Sequence, residues 1–399
     1  MLNFKFFLTE AADESKLTHL EHAEDHVINS GEKGFAHAYH NLTDVHDKIH
    51  GKHNTTKITT KYDGSPSIVF GHHPKTSKFF VATKSAFNKN PKLNYTHEDI
   101  DSNHGHAPGL ATKLKHALKH LPKITPSKGI YQGDLMHSGV KSKDHPAGDV
   151  EDKNGKYHFK PNTITYSTKH SSEEGKKIAK SKLGIAIHTS YKGGNPDHPE
   201  TMKATYAPDL SHFKHHPDVH NIDTQGDAHN AGMTPEQHKT FQHHMEKATQ
   251  HFNKAPKNFS HATSSHIDTL KTYINKTVRD NSKPSVTGYK QHLTDKHTRE
   301  ASKLKTEKGI QGKMNQLHAA HSHVDTNKEH FQSTLNMHHH LQKAKDTLVH
   351  ALSAKPKFDH HIGGIKTKPE GYVVVRNNRP TKLVDRAEFS RANFLKDNK

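Results

Sequence analysis

Lys61-Tyr62-Asp63-Gly64-Ser65 lies between two short runs of alternating character, Lys57-Ile58-Thr59-Thr60 before it and Ser67-Ile68-Val69-Phe70 after it. Period-two patterning on both sides predicts strand, turn, strand, with Asp63-Gly64 as the tight-turn dipeptide. A lysine at such a strand edge is placed to attack the α-phosphate of a nucleotide with its amine, so nucleotidyl transfer is the first chemical reading. Taken alone, the same residues also fit an ordinary exposed strand lysine followed by a turn.

Outward from this stretch, further β-like runs fall at 56–60, 66–71, 78–83, 129–133, 156–159, 163–167 and 183–189, with helical spacing at 109–120 and 172–182. This mixture predicts an α+β domain built on antiparallel sheet rather than a βαβ repeat. Residues 13–50 read as two helices, with Asp13 and Ser15 as start signals and Gly31 and Gly34 as the break. After about residue 208 the chain turns rich in Lys, His, Gln and Ala, with helical periods such as Phe241, Met245, Ala248, Phe252 and Leu335, Leu341, Ala344, Leu348. Joints fall near Pro256 and from Asn281 to Ser285, and β-like character returns at Gly371 to Arg376 and Lys382 to Val384, before a short helix from Arg386 to Leu395. The expected layout is a domain in two parts, 1–207 and 358–399, interrupted by a large all-helical insertion, 208–357.

Four more motifs follow Lys61 in order: Gly129-Ile130-Tyr131-Gln132-Gly133-Asp134-Leu135, Leu183-Gly184-Ile185-Ala186-Ile187, Pro369-Glu370-Gly371-Tyr372-Val373-Val374 and Thr381-Lys382-Leu383-Val384. That order resembles motifs I, III, IIIa, IV and V of the superfamily of polynucleotide ligases and messenger-RNA capping enzymes, and the Lys-x-Asp-Gly-Ser form is similar to RNA ligases in particular. The resemblance spans residues 57–390 and omits the helical block. It implies an antiparallel-sheet nucleotidyltransferase (ligase-like) domain in which Lys61 is the adenylated nucleophile and Asp63 and Gly64 shape its turn. It further implies that Asp134 stands where the family usually has Glu near the ribose and metal, that Glu370 helps bind the divalent ion, and that Lys382 contacts the α-phosphate. Lys84 matches the family's second basic position, facing the nucleotide, or is an exposed strand lysine. The fifth motif departs from the family pattern, with Val384 in place of a second lysine. Glu370-Gly371, taken alone, is also a turn before a strand. Two longer stretches, Leu17 to Asp25 and Lys382 to Ser390, resemble an uncharacterised family from tailed bacteriophages, which implies a viral origin and action in a bacterial cytoplasm.

The physical demands of such a reaction agree with these residue types. A lysine amine is protonated at neutral pH, so neighbouring positive charge, from Lys382 and a magnesium ion, must free its lone pair. Magnesium needs only one or two carboxylates, which Asp134 and Glu370 supply. Tyr166 and Ile187 are candidates for the surface on which adenine stacks. Phe87-Asn88-Lys89-Asn90-Pro91-Lys92 is a basic loop suited to guiding a phosphate backbone or to a solvated turn.

Composition sets the outer bounds. Of 399 residues only 30% are hydrophobic, and Lys plus Arg outnumber Asp plus Glu by 59 to 41, a net charge of +18 that favours nucleic acid as the large partner, RNA above DNA given the motif form, or else serves solubility alone. The absence of cysteine excludes disulfides, thiolate zinc sites and a cysteine nucleophile. Met1 to Phe7 is too short for a signal peptide, and no apolar run approaches about 18 residues, so a cytoplasmic protein is expected. Neither a P-loop nor a dinucleotide-binding glycine fingerprint occurs. Many of the 44 histidines read as solvated helical faces; His338, His339 and His340 point in different directions, whereas His19, His22 and His26 share one helical face beside Glu21, Glu24 and Asp25. The leading expectation is an ATP-dependent RNA (polynucleotide) ligase using ATP and Mg2+ through a lysyl-AMP intermediate. The alternative is a non-catalytic basic nucleic-acid-binding or virion protein on the same fold.

Overall fold

The structure, a computed structural model, describes residues 20–386 apart from 144, 226–227 and 229–230. Its strands are β1 (Lys57–Thr60), β2 (Ser67–His72), β3 (Phe79–Ala82), β4 (Ile130–His137), β5 (Glu151–Lys153), β6 (Lys156–Phe159), β7 (Thr165–Lys169), β8 (Leu183–Lys192), β9 (Lys203–Tyr206), β10 (Val219–Asn221), β11 (Asp359–Ile362), β12 (Ile365–Thr367), β13 (Gly371–Arg376) and β14 (Arg379–Val384). They form three sheets: β1-β13-β14, β10-β8-β4-β2-β3 with β9 also on β8, and β12-β11-β7-β6-β5. Every pairing is antiparallel except β10 with β8. The architecture is therefore α+β with antiparallel sheets and a substantial helical region.

Both strands flanking Lys61–Ser65 form, yet they are not partners. β1 pairs with β13, while β2 pairs with β3 and β4. Asp63-Gly64 thus carries the chain from one sheet to another instead of closing a hairpin.

The six-stranded sheet is buried on both faces, because apolar residues occupy successive positions and successive side chains point to opposite sides. Ile68, Phe70 and Val81 pack with Leu114, Ala117 and Leu121 from the helix Pro108–His120 and the turn after it, while Val69, Phe80 and Ala82 face Ile130, Tyr191 and Met202. In the three-stranded sheet Ile58, Tyr372, Val374 and Leu383 face the helices, and the opposite face carries Thr59 and Val373.

The helical block comprises Pro235–Lys254, Phe259–Thr263, Ile267–Arg279, Val286–Ala301, Glu307–Thr326 and Lys328–Leu352. Its breaks after Lys254 and after Arg279 fall at the expected joints, whereas those after Ala301 and Thr326 are additional. Thr234 opens it with a capping box to Gln237 and proline at the first position. The block shares one hydrophobic core with the helix His26–Ile49 and with the inner face of the three-stranded sheet. The sheet region runs on past residue 208 through β10 before the block begins.

The helix His26–Ile49 kinks at Gly31, where φ is 53° and a Cβ would lie 2.1 Å from Ser260 Cβ. The break expected at the glycines is real, and glycine is there because the helical block approaches so closely. His22, expected on a helical face, instead makes an isolated bridge to Lys382 ahead of the helix, whose first residue is His26. His19, the helical reading of residues 13–19 and the helix expected from Arg386 to Leu395 beyond its first residue lie outside the described residues.

Candidate functional site

A cavity of about 220 Å³ opens between the three-stranded and six-stranded sheets. Thr59, Val373 and Val375 contribute one wall, and Gln132, Asp134, Ala186, His188, Tyr191 and Tyr206 the other. Lys61 and Tyr62 line it where β1 leaves its sheet. Mostly apolar walls with a few converging polar groups are the usual character of a small-molecule site.

Sheet register explains how distant residues meet here. The β1–β13 ladder pairs Thr60 with Tyr372 and continues through Lys61 N–H to Gly371 O at 2.9 Å. That extension sets Glu370 beside Lys61, and the two side chains form an ion pair. Thr59, Val373 and Lys382 are neighbours across the three strands and share one face of that sheet, although of the three only Thr59 and Val373 line the cavity. Asp134 stands opposite Ser67 on the β2–β4 ladder, two residues from Gln132 and on the same face.

Electrostatics tie the four charged groups together. Burial raises the affinity of Glu370 for a proton above the ordinary carboxylate value, and Lys61 only partly opposes it. Glu370 is 7% exposed, and its second oxygen, Oε2, is buried without a hydrogen-bond partner among the described residues. Burial also acts to raise the Asp134 pKa, but the neighbouring His188, at 3.5 Å, the Ser67 hydroxyl and Lys61 outweigh it and leave the carboxyl below its usual value. Lys382 is lowered by burial, then by the Arg386 guanidinium and the Lys61 ammonium.

The remaining candidates have other tasks. The Asp63 carboxylate accepts from Thr163 N at 2.8 Å, Ile164 N at 3.1 Å and Asn162 Nδ2 at 2.9 Å, while its own N–H donates to Tyr166 Oη at 2.7 Å. It bolts the Lys61 segment to the third sheet. Gly64 lies against β4, where a Cβ would be 2.5 Å from Asp134 Cβ and 2.9 Å from Met136 Sδ. Gly64→Ala should destabilise the fold by about 1–3 kcal/mol through overpacking and displace Asp134; urea denaturation measures the first effect. Lys84 is exposed on the short helical turn Lys84–Phe87, beyond the end of β3, and Phe87 supplies that segment's cavity contact. Lys89 and Lys92 are exposed in the following loop.

Neither aromatic nor aliphatic platform candidate lines the cavity. Tyr166 is fully buried among Phe159, Phe358 and Tyr62, and Ile187 belongs to the core on the other side of β8. Its neighbours Ala186 and His188 face the cavity instead, as alternation along a strand dictates. His188, Tyr191 and Tyr206 were missed as wall residues. The register of β8 shifts at His188, so Ala186 and His188 before the irregularity and Thr189 and Tyr191 after it all line the cavity, a switch of face that period two does not mark.

A second acidic cluster, Glu24, Asp25 and His338, has metal-like spacing and is buried. Its carboxylates are already committed: Arg386 forks onto both Asp25 oxygens at 2.9 Å, and Lys345 reaches Glu24 at 2.9 Å.

The model of DUF6267, a family of unknown function, matches residues 17–399. The chain belongs to that family. No curated protein and no solved structure matches it. Among the described residues of this DUF6267 chain, no helix is long and apolar enough to cross a membrane.

Proposed function

We propose that the chain is an ATP-dependent RNA (polynucleotide) ligase that works through a lysyl-AMP intermediate on Lys61. The observation that carries this reading is the gathering of Asp134, Glu370 and Lys382 about Lys61, although they come from separate stretches of the chain: Lys61 and Asp134 line the cavity, Glu370 pairs with Lys61 from behind it, and Lys382 is close enough to feel the Lys61 charge. The ordered motifs of the ligase superfamily name the same four residues, and the net charge of +18 suits a nucleic-acid substrate.

The adenine ring would lie against the apolar walls, with Val373 on one side and Ala186 and Tyr206 on the other. Lys61 must lose its proton before it attacks, and Glu370 is the paired acceptor whose proton affinity burial has raised. The Nζ–P bond then forms as the bond from the α-phosphorus to the bridging oxygen breaks, and pyrophosphate leaves with the electron pair. Lys382 stabilises the charge on the α-phosphate. Transfer of AMP to a 5′-phosphate breaks the N–P bond, and attack by a 3′-hydroxyl on that activated end seals the strand and releases AMP.

The residues present fit a magnesium ion. Asp134 lies on the cavity wall, and the unpartnered Oε2 of Glu370 is an oxygen donor of the kind a hard cation takes. When bound, magnesium would neutralise phosphate charge.

The test is intact-protein mass after incubation with ATP and Mg2+. Gain of one AMP, reversed by pyrophosphate and discharged by RNA strands bearing 5′-phosphate and 3′-hydroxyl ends, is expected. No adduct with ATP, GTP or NAD overturns the reading. Salt-dependent nucleic-acid binding by the same sample would then favour the non-catalytic binding or virion protein.

A further inference from the structure

We propose that His46, His50 and His238 form a binding site for a divalent transition-metal ion of the zinc class, which joins the helix His26–Ile49 to the first helix of the helical block. This site is separate from the cavity and independent of the ligase reading.

His46 and His50 are one helical turn apart, so their rings share a face. His238 comes from the first turn of the helix Pro235–Lys254. One ring nitrogen from each of the three lies within 4.8 Å of one from each of the others. His46 Nε2 and His238 Nδ1 are 2.9 Å apart, and the ring centroids are separated by 4.2, 5.0 and 5.1 Å. A tetrahedral ion with nitrogen ligands at about 2.0–2.1 Å needs nitrogens roughly 3.3 Å apart, a separation that small side-chain rotations reach from here. His50 is exposed, which leaves a fourth position open to water.

The surroundings set the tautomer of His50, whereas the His46–His238 contact holds one hydrogen, which must move off when an ion binds. His50 Nδ1 lies 2.8 Å from His46 O. A carbonyl only accepts, so Nδ1 carries the hydrogen and Nε2 keeps its lone pair. His46 Nδ1 faces the Asp47 carboxylate at 3.6 Å, which directs its other nitrogen, Nε2, toward His238. Asp47 is in turn held by Lys52 at 2.9 Å. The His46 ring is stacked on Phe241 with centroids 4.6 Å apart and 7° between planes. A carboxylate or carbonyl behind the nitrogen opposite the metal is the support that ligating histidines ordinarily have.

Other polar clusters do not match this. In the Glu24, Asp25 and His338 cluster both carboxylates are already ion-paired, Glu24 with Lys345 and Asp25 with Arg386 and His338. Among the described residues no other three imidazoles bring their nitrogens this close. With no cysteine in the chain, an imidazole set is also the natural route to zinc-class affinity.

Cobalt(II) is the probe, since tetrahedral coordination gives it strong visible absorption and 44 histidines would otherwise blur a simple binding count. Metal-stripped full-length protein is titrated with Co2+, and Zn2+ is then used to displace it. One equivalent of tetrahedral band is expected, lost in His50→Ala and His238→Ala with at least a 100-fold fall in affinity, and kept in His318→Ala, an exposed control on another helix. Zn2+ should raise the Tm of the parent protein but not of His50→Ala, whose exposed position makes misfolding a poor explanation, as circular dichroism without metal would verify. Absence of a one-equivalent tetrahedral band, or its persistence in either ligand variant, overturns the proposal.

Discussion

Lys61→Arg is expected to abolish covalent nucleotide transfer while leaving the fold intact. Arginine keeps the positive charge and can still pair with the buried Glu370, but a guanidinium does not lose its proton in a protein and so offers no lone pair to the α-phosphorus. The adduct should fall by at least about 1,000-fold, below detection by mass, with a Tm close to that of the parent. Lys61→Ala should abolish the adduct as well, and it should destabilise by about 1–3 kcal/mol because Glu370 is left buried without its cation. The pH dependence of that penalty has a definite sign. Burial holds the folded-state pKa of Glu370 above its unfolded value, and Lys61 pulls it down; without Lys61 it rises further. A carboxyl with a raised pKa favours the folded state below the ordinary value and loses that contribution as pH rises through the folded value. The difference between Lys61→Ala and the parent should therefore be small at acidic pH and widen toward neutrality. An adduct that survives Lys61→Arg would remove Lys61 from the role of nucleophile and the ligase mechanism with it.

The local signals around this lysine were legible because strands advertise themselves by period two, and β1, β2, β4 and β8 fall where alternation places them. Pairing has no such local sign. Lys57 meets Val375 in the β1–β13 ladder, and nothing near either residue announces that contact, so the Lys61–Ser65 segment read as a hairpin turn when it is a crossover between sheets. Parity along β8 decided the platform in the same way: Ile187 was a candidate, yet Ala186 and His188 face the cavity. Asp63 is expected to shape the turn, and the means are the backbone N–H groups of 163 and 164, in the loop that leads into β7 of a different sheet. Apolar residues at helical spacing mark helices of the block in the sequence, as at Phe241, Met245, Ala248 and Phe252. Their docking onto the back of the three-stranded sheet was not marked, since an amphipathic face tells that it will be buried but not against what.

That docking has a charged centre, and Lys345→Met should expose its importance with a loss of about 3–5 kcal/mol. Lys345 is fully buried, 2.9 Å from Glu24 and 3.2 Å from Asp346, and Arg386 and His338 hold the adjacent Asp25. These residues come from the turn Ala23–Asp25, from the helix Lys328–Leu352 and from the chain just after β14, so the network joins the helical block to the sheet that carries Glu370 and Lys382. Burial opposes ionisation of Glu24 and Asp25, but Lys345 and Arg386 on the first, and His338 and Arg386 on the second, outweigh it and keep both below the ordinary carboxylate value. Their contribution is therefore present above the unfolded carboxylate range and lost as pH falls through the folded values; Asp346, raised by burial, works in the opposite sense. The deficit of Lys345→Met should be greatest near pH 7 and shrink in acid, as Glu24 takes up the proton that replaces its partner. Adding Glu24→Gln to Lys345→Met removes the stranded charge and should recover more than half of the loss at neutral pH. Urea denaturation of the two single variants and the double gives the coupling directly: additive losses, or a single-variant loss under about 1 kcal/mol, would mean that apolar packing alone holds the block to the sheet.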